Sequence, residues 1–475
     1  MNKQLNTRRR PKIKAIASIL YILYILLLII IPINKVFSEQ TALCLEEALN
    51  IALSNSRRIK QKTVSLRKSE HALAQANTEA FPIITLEAST SYMLNPLEGV
   101  TVGQGELGEI EIAPGVFVPL PDRDIVMIPD VEPTYFKIGA TLTQPIFTWG
   151  KITNAIDIAA LGVDISFIEL EQAKQELKRN VKIAYFGAVF SKRSYQILAD
   201  LVVITEEILK DRELAYGEGL ITFQAVLEAR SQLAQLKKMF IQAEEGYYSA
   251  LATLCFLLDL EEVDILLTST YRTELPPLDE EALKQEVYTN SFALKILRKQ
   301  LGQAQKNVAI KQGDSLFLPD IVFKITFDVA GQHVPFITEN WTDTWNINLT
   351  FSLGTSLDLF DSTRSYWKIK QAEDDVELAM LCLTQLASSL DLKTRQAFEK
   401  VRITYYTILE EQAKLEQAKE SYKNAQFSYE NQVITREKEH MAKLFLHTTE
   451  IEYERALFEF EMALTNLEFL AGRDF

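Results

Sequence analysis

The sequence predicts a mainly α-helical chain with a transmembrane β-barrel portion. Three observations carry that prediction: an internal self-match, four short segments of strict alternation, and helical patterns too long for a globule. Tyr216-Gly-Glu-Gly-Leu-Ile-Thr222 lines up with Tyr429-Glu-Asn-Gln-Val-Ile-Thr435, 213 residues later. Ala250-Leu251-Ala-Thr-Leu254-Cys-Phe256-Leu257 lines up with Ala463-Leu464-Thr-Asn-Leu467-Glu-Phe469-Leu470 at the same offset. The chain therefore reads as an export signal over 1–38, a first repeat over 39–275 and a second over 276–475, with Pro276-Pro277 at the boundary.

The N-terminus opens with Lys3, Arg8, Arg9, Arg10, Lys12 and Lys14 ahead of an apolar run from about Ile13 to Ile31. Pro32 ends the run, and Val36-Phe37-Ser38 offers a cleavage point before Glu39, the pattern of a secretory signal. An uncleaved membrane helix is the other reading, because the run is long for a signal peptide. Leu43 before Cys44 is too large for a lipoprotein processing site.

Each repeat begins with a helix, Leu45 to about Thr78 and Asp279 to about Gln312, opened by Leu45-Glu-Glu-Ala-Leu49 and Asp279-Glu-Glu-Ala-Leu283. Pro82 and Pro319 then lead into strands. Ile84, Leu86, Ala88, Thr90 and Tyr92 alternate with Ile83, Thr85, Glu87, Ser89 and Ser91. Phe136, Ile138, Ala140 and Leu142 alternate with Lys137, Gly139 and Thr141. In the second repeat, Ile321, Phe323, Ile325, Phe327 and Val329 alternate with Lys324, Thr326 and Asp328. Trp345, Ile347, Leu349, Phe351 and Leu353 alternate with Asn346, Asn348, Thr350 and Ser352. Such lengths and two-faced patterns suit strands of an outer-membrane barrel. Four strands cannot close a barrel, and an open edge in lipid leaves backbone groups unpaired. The barrel must be shared between copies, with eight strands from a dimer or twelve from a trimer. Residues 94–134, rich in Gly and Pro, read as a long surface loop joining the first pair, against a shorter loop at about 330–344.

Helical patterns without Pro run from Lys151 to about Tyr216 and from about Ser362 to about Tyr429. The first would measure roughly 100 Å unbroken, the length of a coiled coil. In the helices that follow, Val226, Ala229, Leu233, Leu236, Phe240, Ala243, Tyr247, Ala250, Leu254 and Leu257 step by three and four. Ala442, Leu446, Thr449, Tyr453, Ala456, Phe460, Ala463, Leu467 and Leu470 repeat that seam.

Scarce Gly (17) and Pro (14) fit long helices. The chain carries a net charge of −14, and beyond the basic leader 43 Lys/Arg face 64 Asp/Glu, a net −21. An acidic body argues against nucleic acid as a partner. Cys44, Cys255 and Cys382 are far apart and suggest neither a metal site nor a disulfide framework. His440 and His447 share a helical face without carboxylate or Cys at ligand spacing, and no nucleophile or phosphate-loop motif occurs. No enzyme activity and no cofactor are expected.

Taken together, these residues resemble the TolC-like outer-membrane efflux proteins, over nearly all of 40–475. The likeness rests on the Leu-Glu-Glu-Ala-Leu opening, Phe81-Pro82, Gln144-Pro145-Ile146-Phe147-Thr-Trp-Gly-Lys151, Tyr216-Gly-Glu-Gly219 and the Ala-Leu-x-x-Leu endings. The second strand-to-helix step, Leu359-Phe360-Asp361, lacks the Gln-Pro. The resemblance implies a homotrimer with a twelve-stranded barrel in outer-membrane lipid and a twelve-helix tube through the periplasm. It also implies docking of a periplasmic adaptor protein and an inner-membrane pump. The function implied is the exit duct of a tripartite efflux or type I secretion system. A periplasmic coiled-coil stalk, structural or adhesive, anchored in the outer membrane is the alternative.

In that family, Tyr-x-x-Gly at the helical turn and acidic residues beyond it help form the periplasmic gate. The matching positions here are Tyr216, Gly219, Ala225 and Glu228 in the first repeat. In the second, Tyr429 matches, Gln432 replaces the Gly, and Lys438 and Met441 replace the acids, with Glu437 and Glu439 beside them. From the residues alone, the two tyrosines read as packing for a tight turn, and Glu437-Lys438-Glu439 as a solvated tip.

Overall fold

A computed structural model of the chain describes residues 41–261, 265–314, 318–334, 337, 339, 341–356 and 360–473. The export signal lies outside the described residues. The chain is mainly helical. In order it runs β1 (Thr41–Leu43), α1 (Leu45–Asn55), α2 (Arg57–Thr78), β2 (Ile83–Tyr92), β3 (Val100–Val102), β4 (Glu109–Ala113), β5 (Val116–Pro119), β6 (Ile125–Ile128) and β7 (Thr134–Phe147). The long helices α3 (Lys151–Gly217) and α4 (Phe223–Leu258) follow, then β8 (Ile265–Leu267). The remainder is α5 (Glu280–Asn290), α6 (Phe292–Gly313), β9 (Ile321–Gly331), β10 (Asn346–Thr355), α7 (Arg364–Glu430) and α8 (Arg436–Ala471).

Helix lengths recur in order. α1 and α5 have 11 residues, α2 and α6 have 22, α3 and α7 have 67, and α4 and α8 have 36. The spacing is 235 ahead of the strands (57 to 292) and 213 after them (151 to 364). The extra length of the first half therefore lies around its hairpin. Left-handed residues recur at the later spacing too: Trp149 and Ser362, Gly150 and Thr363, Gly219 and Gln432, Asp259 and Gly472.

Two expectations need correction. The opening helix of each half is two helices, broken at Ser56 and at Ser291 with nearly identical dihedrals (φ −49°, ψ 120° and φ −51°, ψ 115°). Neither break contains Gly or Pro, so the helical pattern ran through it. The break is fixed by what the neighbouring Asn reaches: Asn55 Nδ2 donates to the Leu258 carbonyl at 3.3 Å, and Asn290 Nδ2 to the Ala471 carbonyl at 3.0 Å. Each caps the last residue of a long helix, where carbonyls lack intrahelical partners. Residues 94–134 are likewise not a plain loop. Two antiparallel hairpins nest inside them, β4 on β5 within β3 on β6. Cys44, weighed above for lipidation, is the N-cap of α1: its Sγ accepts from the Glu47 backbone N–H while the Glu47 carboxylate accepts from the Cys44 N–H.

The described residues fall into two compact units that cut across sequence order. One comprises 41–56, 177–276 and 400–466; the other comprises 57–176, 277–399 and 467–473. In the first, the α4 seam buries Val226, Ala229, Leu233, Tyr247 and Leu254, and Leu236, Phe240 and Ala243 cover Ile197, Leu198 and Leu201 of α3. At its end the seam rotates onto Leu258, as expected when a 3.6-residue helix leaves a 3.5-residue repeat. The α8 seam buries Thr449, Ala456, Phe460, Ala463 and Leu467 as expected. The short parallel pair β1–β8, absent from the sequence reading, is held by Tyr185. Its hydroxyl donates to the Leu43 carbonyl (2.8 Å) and accepts from the N–H groups of Thr268 (3.0 Å) and Ser269 (2.9 Å).

Candidate channel wall and gate residues

The second unit holds a four-stranded antiparallel sheet in the order β10-β9-β7-β2. Its register turns the four sequence alternations into continuous rows. Ile84, Leu142, Ile325 and Phe351 form one row; Leu86, Ala140, Phe327 and Leu349 form the next; Ala88, Ile138, Val329 and Ile347 form a third. One face is thus apolar from edge to edge. Leu142, Ala140, Ile325 and Val329 on the central strands are half-buried, but Ile138, Phe327 and the large apolar residues of the edge strands are exposed, Leu86 at 78 % and Ile347 at 70 %, far more apolar exposure than a water-facing sheet tolerates.

The opposite face is polar. Thr85, Thr141, Thr326 and Thr350 align in one row. In the adjoining row Asp328 faces Gly139 and Asn348, whose Nδ2 donates to its carboxylate at 3.2 Å. Lys137 reaches the same carboxylate at 4.0 Å. A Cβ at Gly139 would sit 3.4 Å from Cβ of Asp328, so this glycine gives the pair its room. Every residue of β2 and of β10 is exposed, and neither outer edge has a strand partner among the described residues. Three antiparallel pairings separate the edges, so β2 and β10 run in opposite directions.

At the step from β7 to α3, Trp149 (φ 54°) and Gly150 (φ 79°) turn the chain. Trp149 Nε1 donates to the Pro319 carbonyl at 3.0 Å, and Lys151 Nζ bonds Asp320 at 2.7 Å and Asp314 at 2.9 Å. Burial opposes the charge on Lys151, but its bonds to Asp320 and Asp314 outweigh it and hold the ammonium pKa above the ordinary lysine value. The second step turns through Ser362 (φ 57°) and Thr363 (φ 65°), neither of them Gly. There Asp361 accepts from the Ser365 hydroxyl (2.6 Å) and backbone N–H (2.8 Å), and these bonds lower its pKa. Leu359 of that step lies outside the described residues.

The candidate gate residues lie at the two helix–helix turns of the first unit. Gly219 (φ 74°) donates its N–H to the Tyr216 carbonyl at 2.9 Å, and Gln432 (φ 58°) does the same to Tyr429 at 2.8 Å. Leu220 to Ala215 and Val433 to Ser428 complete the same helix-end motif. The Tyr216 ring lies 5.4 Å from that of Phe223, and Tyr216 and Tyr429 stay part-exposed, at 46 % and 40 %. Exposed Glu228 accepts from Gln224 at 3.2 Å.

The Glu437-Lys438-Glu439 run is not simply a solvated tip. Glu437 binds Arg212 of α3 at 2.8 Å. Glu439 hydrogen-bonds Tyr422, whose pKa is held up by burial and then by that carboxylate. Of the three, only the Lys438 ammonium has no partner among the described residues. Arg436 adds Glu207 (3.4 Å) and Asp211 (3.7 Å), and buried His440 sits 3.3 Å from Glu207 and 3.6 Å from Glu439. Sequence reading passed over Arg212, Glu207 and Arg436 because their partners lie more than two hundred residues away. Their only local signal is the acidic end of α3 and the basic Arg436 at the start of α8. Among the described residues, no cluster of three potential ligands could hold a metal ion, and no helix is long and apolar enough to cross a membrane.

Residues 48–259 match the family model described as outer membrane efflux protein. The CmeC outer membrane channel of Campylobacter jejuni has a similar structure: TM-score 0.67, 15% identity, 90% of this chain and 85% of that one. The outer membrane protein VceC of Vibrio cholerae matches at TM-score 0.67 and 16% identity, over 91% and 96%. The open state of the MtrE outer membrane channel of Neisseria gonorrhoeae matches at TM-score 0.69 and 13% identity, over 90% and 89%. No curated protein sequence matches the chain. The resemblance to TolC-like outer-membrane efflux proteins holds in both the family match and the fold.

Proposed function

We propose that this chain is the outer-membrane channel of a tripartite efflux or type I secretion system, a passive conduit driven by an inner-membrane pump through a periplasmic adaptor. The observation that carries the reading is the sheet. One face is apolar across four strands, the other is polar, and both edges are open. In lipid each unpaired backbone group costs several kcal/mol, so the edges must be paired. β2 of one copy and β10 of the next run in the right directions to extend an all-antiparallel sheet. Three copies then close a twelve-stranded barrel, with lipid outside and the threonine row facing the lumen. The likeness to CmeC and MtrE, both named as outer membrane channels, supports this arrangement. The two repeats supply one hairpin and one long helix pair each, which accounts for the matched helix lengths.

The helical turns are the proposed periplasmic gate, with Arg212–Glu437 and Arg436–Glu207 clamping the end of α3 to the start of α8. Conductance of the purified oligomer in a planar bilayer tests the reading. Discrete channels are expected, several-fold larger when Arg212→Ala and Glu437→Ala are combined. Recovery as a soluble monomer would end it, and trimers that never conduct would return the stalk.

A further inference from the structure

We infer that the Arg67–Lys68 face of α2 docks against the Asp374–Asp375 face of α7 on a second copy of this chain. The inference rests on the conduit reading, in which the open sheet edges meet between copies, and it names the helical part of that contact. Within the second unit, the first part of α3 lies beside α6 in an antiparallel seam. Lys306 binds Asp157 at 2.7 Å and Lys299 binds Asp164 at 2.7 Å. The helices come close between them. A Cβ at Gly302 would lie 3.3 Å from Leu161 Cδ1, and one at Gly162 would lie 3.6 Å from Gln303 Nε2.

The matched lengths let this seam be transposed. Subtracting 235 carries α6 onto α2, and adding 213 carries α3 onto α7. Gly302 and Leu161 become Arg67 and Asp374; Gln303 and Gly162 become Lys68 and Asp375. Both transposed contacts join opposite charges. The close centre of the seam, where two glycines meet Leu161 and Gln303 inside the chain, is replaced by two complementary ion pairs, the chemistry that selects one register and partner.

The faces are available. The side of α2 turned toward its own chain carries Ile59, Lys62, Leu66 and Ser69, and Arg67 lies on the other side. On α7 the shielded stripe is Ile369, Ala372, Val376 and Ala379, which leaves Asp374 turned away. Arg67, Lys68, Asp374 and Asp375 are all exposed, and none has a salt-bridge partner among the described residues. Apolar Val64 (54 % exposed) flanks the basic pair, and Leu381 (59 %) lies two turns beyond the acids. Continuity places these faces together: α2 leads into β2, one open edge, and β10, the other, leads into α7.

The test uses the full chain in membranes with Cys382→Ser, which removes the exposed thiol of α7. Arg67→Cys with Asp374→Cys is expected to give covalent dimers and trimers on oxidation, while each single substitution stays monomeric on denaturing gels. Charge reversal supplies an independent reading. Arg67→Glu with Lys68→Glu, or Asp374→Lys with Asp375→Lys, is expected to weaken the oligomer about tenfold by native mass, from like charges brought face to face. The fourfold variant should recover it. Absence of intermolecular cross-links, or a fourfold variant no better than either double, overturns the inference. A monomeric wild type defeats the conduit reading instead, so the two failures are separable.

Discussion

At Trp149-Gly150 and again at Ser362-Thr363 the backbone makes the same two-residue left-handed step into a 67-residue helix. The first step uses a glycine and ties its lysine to two aspartates across a long sequence interval. The second has no glycine and spends its one aspartate on its own helix start. The same contrast recurs at Gly219 and Gln432, and at Tyr185 and Phe398, which are also 213 residues apart. Backbone geometry is held in both halves because each strand must turn the same corner into a 67-residue helix. Side-chain chemistry is free to diverge wherever a different partner can hold that corner.

The largest test removes the hydroxyl that distinguishes Tyr185 from buried Phe398. Tyr185→Phe strands the Ser269 N–H and removes one partner each from the Leu43 carbonyl and the Thr268 N–H, which still meet each other at 3.3 Å; it is expected to cost about 3 kcal/mol, read from the urea unfolding midpoint. No loss would mean that the two halves are held alike despite the extra hydroxyl. Next is Lys151→Ala, which strands Asp314 and Asp320 at the first step. About 2 kcal/mol is expected in the same measurement. Its share that depends on charge is present below the ordinary lysine pKa and fades as pH rises above it, because the folded-state pKa is raised.

Smaller and opposite in sign, Gln432→Gly and Thr363→Gly should each stabilise by about 1 kcal/mol, since L side chains pay for the left-handed region. Gly219→Ala should cost about as much, and a Gln432→Gly variant no more stable than wild type would break the comparison. The smallest effect is at Asp361. Its folded-state pKa is lowered by Ser365, so its contribution exists above the ordinary carboxylate value of 3.8 and is lost as pH falls through the folded value. Asp361→Asn should remove that acid sensitivity, visible as a midpoint that changes less between pH 7 and pH 3 than in wild type.

Much of the four-stranded sheet was legible in the chain. Ile84, Leu86 and Ala88 alternate with Thr85, Glu87 and Ser89 at a period only a two-faced strand explains, and the observed strand begins one residue after Pro82. The helix ends at Gly217 and Glu430 fall beside the matched tyrosines. The breaks at Ser56 and Ser291 were not legible, because the carbonyls that hold Asn55 and Asn290 lie 203 and 181 residues away. The nested hairpins of 94–134 were hidden for another reason: their strands are only three to five residues long, too short for a period to register. At the helix–helix turns, Tyr216, Gly219, Tyr429 and Gln432 were visible as a repeated turn, whereas the Arg212–Glu437 and Arg436–Glu207 pairs were not.

By itself the sequence determined which segments are strands and which are long helices, and which face of each is apolar. Those properties follow from local periodicity and from where Gly and Pro are absent. Only the tertiary structure decided the register that aligns Thr85, Thr141, Thr326 and Thr350, the two open edges, and the partners of Lys151, Tyr185 and Glu437. Those depend on which residues meet across long stretches of chain, and a hydrogen bond or ion pair leaves no period behind it.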